Sequence, residues 1–155
     1  MSTPAPLLRL EIEALIAEFA WRIDRGDPAT VAELFTEDGW YGRESGDRSV
    51  GHDAIRAAYA ARAKREATAG VRTARHLFTN LRLVQQDADN ASGTSVLLLF
   101  AADGPPPHPA HPLLVQDYDD TYRRVGGQWL FASRAVRKLF VGEHFAPVLP
   151  LGKTP

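Results

Sequence analysis

His76 and Asp24 are the residues of this sequence best suited to move a proton. His76 lies in a strand-like segment whose two-residue alternation puts His76, Phe78 and Asn80 on one face and Leu77, Thr79 and Leu81 on the other. An imidazole there is either a hydrogen-bonded structural group or a general acid–base, because it titrates near neutral pH. Asp24 directly follows Ile23, on the inward stripe of the first helical segment. It reads as a solvated acid or a partner for the Gly26–Asp27 turn, or as a carboxylate able to fix a histidine's tautomer and orientation.

A second set of side chains could bind or polarise a substrate. Leu114, Gln116, Tyr118, Asp120 and Tyr122 alternate along one face of a later strand. A buried Tyr118 hydroxyl could polarise a carbonyl or a leaving hydroxyl, although sheet propensity alone also accounts for the tyrosines. On the last strand Arg134 shares a face with Leu130 and Ala132, with Trp129 and Phe131 opposite as core. An arginine among apolar neighbours needs an anion, either Asp120 or a substrate carboxylate or enolate. Of Trp40 and Tyr41 we expect Tyr41 to face a cavity, and we count Phe19 of the first helix with the substrate-binding residues.

Other chemistry is excluded or weak. The 155-residue chain has no cysteine, so disulfides, thiolate catalysis and Cys-ligated metal centres drop out. His108 and His111 flank Pro109-Ala110 without nearby carboxylates, too little for a metal site, and His52 and His144 read as surface residues. No phosphate-binding loop, dinucleotide fingerprint or nucleophile elbow is present. A net charge of −1 gives no field to recruit nucleic acid or an anionic membrane, and the Lys64-Arg65 and Arg72/Arg75 groups read as a solvated face. We expect no metal and no cofactor. The apolar run Val96 to Ala102 is too short for a membrane span and no signal peptide is visible, so a cytoplasmic location is expected.

The elements that must position these groups follow from periodicity. Residues 1–6 read as a flexible Pro-rich tail. Leu8, Ile12, Leu15, Ile16, Phe19 and Ile23 mark a helix over Leu7–Arg25, ended by Gly26. Asp27 caps a short helix, Ala29–Phe35, with Pro28 at its first position. Thr36 to Gly39 reads as a turn, Trp40 to Arg43 as a short strand and Glu44 to Ser49 as a loop. A third helix opens at Gly51-His52-Asp53, with Asp53 as cap, and runs to about Glu66. Long strands are expected at Ala74–Gln86, Ser92–Ala101, Leu113–Arg124 and Trp129–Phe140. A Pro-rich loop (104–112) precedes the third and a Gly126-Gly127 hairpin the fourth. Residues 141–155 form a tail. This is an α+β pattern: three N-terminal helices packed on a strongly curved mixed or antiparallel sheet, a cone-shaped α+β barrel whose mouth is a natural pocket.

Several stretches recur in a known order: Ile23-Asp24-Arg25-Gly26-Asp27, Leu34-Phe35-Thr36-Glu37-Asp38-Gly39, Gly51-His52-Asp53-Ala54-Ile55, Arg75-His76-Leu77-Phe78-Thr79-Asn80, Tyr118-Asp119-Asp120-Thr121-Tyr122-Arg123-Arg124 and Gly127-Gln128-Trp129-Leu130-Phe131. Together they resemble the nuclear transport factor 2-like superfamily and, within it, the SnoaL-like branch near scytalone dehydratase and the bile acid 7α-dehydratases. The resemblance spans Leu7 to Phe140. It implies that Asp24 and His76 match the acid and the histidine of the dehydratases, and that Gln116 and Tyr118 match pocket positions. Two departures accompany it. The stretch matching the strand of the second dehydratase histidine is Gly93-Thr94-Ser95-Val96-Leu97-Leu98, without a histidine. Ile23 stands where a tyrosine precedes the helix aspartate.

The expected function is a cofactor-independent lyase or isomerase: a dehydratase, a cyclase or a ketosteroid-isomerase-like enzyme. His76 moves a proton, Asp24 orients it, and Phe19, Tyr41, Asn80, Gln116, Tyr118 and Arg134 surround a small hydrophobic hydroxy or keto substrate in an internal cavity. The alternative is a non-catalytic ligand-binding or subunit-assembly module, similar to the β subunit of ring-hydroxylating dioxygenases. Epoxide hydrolysis would need an Asp–Arg–Asp set, which Asp117, Asp119, Asp120 and Arg134 match poorly. A homodimer or homotrimer is expected, since open curved sheets tend to pair.

Overall fold

The computed structural model describes residues 5–68 and 70–143. Of the expected tails, 1–6 and 141–155, residues 1–4 and 144–155, with His144, lie outside the described residues, while Pro6 is helical and Val141 ends a strand. Helix α1 (Pro6–Asp24) begins one residue before the expected start. Proline suits that end because its missing N–H would have no helical partner. Leu8, Ile12, Leu15, Ile16 and Phe19 form its buried stripe. Its last turn closes where the backbone N–H groups of Arg25 and Gly26 both donate to the Trp21 carbonyl, at 2.9 and 3.2 Å.

The next segment departs from expectation in detail. Asp27 does cap it, accepting from the Ala29 N–H at 3.0 Å, but the helix is a 3-10 helix ending at Leu34. Phe35 instead starts β1 (Phe35–Gly42), which absorbs the expected turn at Thr36–Gly39. The residues there are turn-forming by type, yet Gly39 allows a close approach: a Cβ would lie 2.9 Å from the Thr36 carbonyl oxygen and 3.0 Å from that of Phe131. The expected loop at Glu44–Ser49 is cut short by β2 (Arg48–Val50), which pairs antiparallel with Trp40–Gly42. Arg48 lies over the Trp40 ring at 4.0 Å.

Helix α2 (Gly51–Thr68) buries Ile55 and Tyr59. His52, expected on the surface, is half-buried, with Nε2 2.8 Å from the Phe35 carbonyl oxygen. Asp53 pairs with Arg56 at 3.1 Å. The long strands are β3 (Arg72–Gln85), β4 (Asn90–Asp103), β5 (Leu114–Val125) and β6 (Gln128–Val141). Gly126 and Gly127 turn the β5–β6 hairpin at φ 57° and 82°, the geometry of a twist-compatible two-residue turn.

The sheet order is β2-β1-β6-β5-β4-β3. Neighbours run antiparallel except β1 and β6, which are parallel. The fold is therefore α+β on a mixed sheet. The sheet is open, with β2 and β3 at its edges, so the expected barrel is not closed. Among the described residues, no helix is long and apolar enough to cross a membrane.

Two irregularities redirect side chains. In β3, Thr79 pairs with Val96 but Arg82 pairs with Thr94, so Asn80 and Leu81 together oppose Ser95. This is a one-residue bulge, with Asn80 at φ 55°. Past it the inward set becomes Leu81 and Leu83, reversing the expected placement of Leu81. In β6, a register shift opposite Thr121/Tyr122 brings Arg134 onto the face of Trp129 and Phe131, not that of Leu130 and Ala132. The main core joins α1, the 3-10 helix, α2 and the inner ends of the strands. A smaller cluster holds Leu97, Leu99, Leu114 and Tyr118. Tyr41 and Phe78 touch both.

Candidate active site

Asp24 and His76 meet. The Asp24 carboxylate accepts two hydrogen bonds from one residue: the His76 backbone N–H at 2.8 Å on Oδ2 and the ring Nδ1–H at 2.6 Å on Oδ1. Their side chains are 7% and 3% exposed. Helix α1 supplies the acid from its last turn and β3 supplies the histidine before its bulge, so the contact spans 52 residues of chain. With Nδ1 carrying the proton toward the carboxylate, the lone pair of a neutral imidazole is left on Nε2. This is a base held by an orienting acid.

The pair lies in a cleft of about 580 Å³ between α1 and β3, within the range of small-molecule sites. Ile16, Ala20 and Phe78 provide apolar wall and Ser95 of β4 also lines it. Of the residues expected in the site, Asp24, His76 and Asn80 line this cleft. Asn80 does so as an exposed residue, because the bulge takes it off the inward row of His76 and Phe78.

Phe19, Tyr41, Gln116, Tyr118 and Arg134 form a separate inner group and do not line the cleft. The guanidinium of Arg134 is fully buried. Its Nε and Nη2 donate to Asp120 Oδ1 and Oδ2, both at 3.0 Å, and the Tyr122 hydroxyl donates to Asp120 at 3.1 Å. Of the two partners open from the sequence, the structure thus gives Arg134 the internal one. Its guanidinium carbon lies 4.2–4.4 Å from the ring centroids of Phe131, Tyr118 and Phe19 and 5.0 Å from that of Phe78. Its Nη1 has no hydrogen-bond partner. Burial pushes the Asp120 carboxyl up and Arg134 pulls it back. Burial also opposes the charge of Arg134, and the Asp120 carboxylate outweighs it, raising the guanidinium further. Burial prevails, so the Asp120 carboxyl sits above the usual aspartate value even though three donors, two from Arg134 and one from Tyr122, bond its two oxygens.

Gln116 Nε2 donates to the Tyr118 hydroxyl at 3.0 Å. Burial, followed by the neighbouring Tyr41 phenol, drives both Tyr59 and Tyr118 well above the ordinary tyrosine range, which keeps them neutral donors. Tyr59 of α2 belongs to this group, its ring 5.6 Å from that of Tyr41. Phe78 is the wall between the two groups: it lines the cleft and packs on Tyr118 at 5.0 Å and on Phe19 at 6.3 Å. Among the described residues no cluster of three or more His, Asp or Glu side chains is arranged to hold a metal ion.

Residues 6–135 match the model of the SnoaL-like domain. The chain belongs to this family, within the nuclear transport factor 2-like superfamily. No curated protein sequence matches this SnoaL-like domain. Solved structures do. A variant of Rv3472, a function-unknown protein from Mycobacterium tuberculosis, is 29% identical with TM-score 0.69, over 88% of this chain and 78% of the other. A candidate scytalone dehydratase from Novosphingobium aromaticivorans is 22% identical with TM-score 0.74, over 96% of both chains. An NTF2-like protein with a cystatin-like fold from the same organism is 24% identical with TM-score 0.68, over 86% of this chain and 84% of the other. At these identities the two Novosphingobium structures speak to the fold.

Proposed function

We propose that this domain is a cofactor-independent lyase or isomerase acting on a small hydrophobic hydroxy or keto compound. One observation carries the reading: a nearly buried carboxylate grips both the ring and the backbone of His76, and Nε2, which makes no hydrogen bond to the described residues, is left for a ligand in a partly apolar cleft. His76 Nε2 removes a proton from the carbon beside a substrate carbonyl, leaving an enolate. The imidazolium, stabilised by Asp24, then gives that proton to a departing β-hydroxyl, which leaves as water. In an isomerisation the same proton returns to a different carbon. Either way no electrons are gained or lost, and the imidazole ends neutral.

The enolate oxygen needs donors. Asn80 stands at the cleft rim. Tyr118 and Arg134 stand behind the Phe78 ring, each at 5.0 Å from it, so a substrate oxygen would meet them only where that ring moves aside. The neighbour described as a candidate scytalone dehydratase supports testing dehydration first. A suitable probe is 3-hydroxy-1-tetralone, whose loss of water gives 1-naphthol. Above the spontaneous rate, the protein is expected to accelerate 1-naphthol formation, and His76→Ala to lower kcat by on the order of a hundredfold or more. Equal turnover in the variant refutes the assignment.

A further inference from the structure

We infer that Ser95 is a specificity-determining residue, the group that hydrogen-bonds a carbonyl or hydroxyl oxygen of the bound molecule at the floor of the Asp24–His76 cleft. This rests on the reading of that cleft as the ligand site. Three buried side-chain atoms among the described residues lack a hydrogen-bond partner: Arg72 Nε, Ser95 Oγ and Arg134 Nη1. Only Ser95 belongs to the cleft lining. The residue is 3% exposed, and a hydroxyl withdrawn from water without a partner costs stability. Elsewhere in this sheet a buried serine is satisfied: Ser133 Oγ lies 2.6 Å from Thr121 Oγ1 on the adjacent strand.

The reason Ser95 lacks such a partner is the β3 bulge. On the β5 side Ser95 pairs with Tyr118, whose hydroxyl is bonded by Gln116. On the β3 side the register up to Thr79–Val96 would place Asn80 directly opposite, with its amide facing the serine. The bulge inserts a residue there, and Asn80 at φ 55° is exposed. The serine thus keeps a donor and an acceptor facing space that its natural cross-strand partner has vacated. Bulges commonly re-aim side chains beside functional sites. A hydroxyl both gives and accepts a hydrogen bond, so it can meet either a carbonyl or a hydroxyl oxygen of the bound molecule.

The test compares two probes of one shape, 1-tetralone with its carbonyl and tetralin without it, binding to the full chain and to Ser95→Ala by titration calorimetry. Wild type is expected to prefer 1-tetralone, and Ser95→Ala to weaken 1-tetralone about three- to tenfold while leaving tetralin unchanged. Because the substitution deletes an unsatisfied hydroxyl, its melting temperature is expected to stay level or rise. An equal change for both probes, no change for either, a fall in melting temperature, or no binding of either probe to wild type overturns the assignment. The two readings fail separately. Unaltered probe preference in Ser95→Ala alongside His76-dependent turnover overturns only the role of Ser95. A serine-dependent preference without His76-dependent turnover overturns only the catalytic reading.

Discussion

Replacing Asp24 by asparagine tests the chemistry most directly, because it changes almost no volume while reversing the polarity of one bond. The wild-type carboxylate accepts twice, from the His76 backbone N–H at 2.8 Å and from Nδ1–H at 2.6 Å. An asparagine can accept only through its carbonyl. The backbone N–H cannot change roles, so it keeps the carbonyl, and the amide NH₂ is turned toward Nδ1. Nδ1 must then accept, the ring proton moves to Nε2, and the lone pair that faced the cleft is gone. A positioned general base contributes roughly 10²- to 10⁴-fold, and we expect kcat to fall about a thousandfold with KM little altered. Exchanging a charge-assisted bond for a neutral one costs about 1 kcal/mol of stability, far too little to unfold the domain at 25 °C. Formation of 1-naphthol from 3-hydroxy-1-tetralone gives the rate. Nitrogen-15 NMR of the labelled imidazole gives the tautomer, expected as Nδ1–H in wild type and Nε2–H in Asp24→Asn. Activity within tenfold of wild type, or a variant still protonated at Nδ1, would refute the reasoning.

Two predictions concern the scaffold. Asp120→Ala leaves the Arg134 charge buried without its carboxylate and should cost about 3–5 kcal/mol in urea unfolding, whereas Asp120→Leu combined with Arg134→Met should recover most of that loss. At low pH, Asp38 is expected to titrate below the ordinary aspartate value of about 4, chiefly because the Thr36 hydroxyl donates to it at 2.8 Å and secondarily because Arg123 lies 3.1 Å away. A depressed carboxyl stabilises the fold above its unfolded value and loses that contribution as pH falls through the folded one. Carbon-13 NMR should show the Asp38 midpoint moving up in Thr36→Val, and an unmoved midpoint contradicts the attribution.

How far the sequence spoke depended on whether an element obeyed a simple period. The stripe Leu8, Ile12, Leu15, Ile16, Phe19 has helical spacing and is buried as read. The alternation Leu114, Gln116, Tyr118, Asp120, Tyr122 is likewise buried throughout. The strands β3 to β6 lie within about two residues of their expected ends. What failed was local. A bulge adds one residue and flips every later side chain, and neither the β3 bulge that exposes Asn80 nor the β6 shift that moves Arg134 beside Phe131 leaves a mark in hydrophobicity. The segment Thr36–Gly39 has turn composition, and it runs within β1 as an irregularity between the pairings Phe35–Phe131 and Trp40–Ser133, with Gly39 close to the Phe131 carbonyl. The Asp24–His76 contact was legible through family resemblance, and its double hydrogen bond was not. Tyr59 and Ser95 carried no signal of their own: one is a common helix-face residue, the other a small polar residue in an apolar strand.

The strand order has a consequence for how the domain is made. β6 is the last described strand in the chain but lies inside the sheet, between β1 and β5. During synthesis, the β1–β2 hairpin and the β3–β4–β5 meander emerge with no hydrogen bonds between them, each presenting a raw edge that can join a foreign chain. Asp120 waits on β5 with its cationic partner still unmade, since Arg134 belongs to β6. A single late segment therefore stitches the two half-sheets together and neutralises the interior acid. A nascent chain halted before β6 should be a substrate for chaperones, not a small stable intermediate.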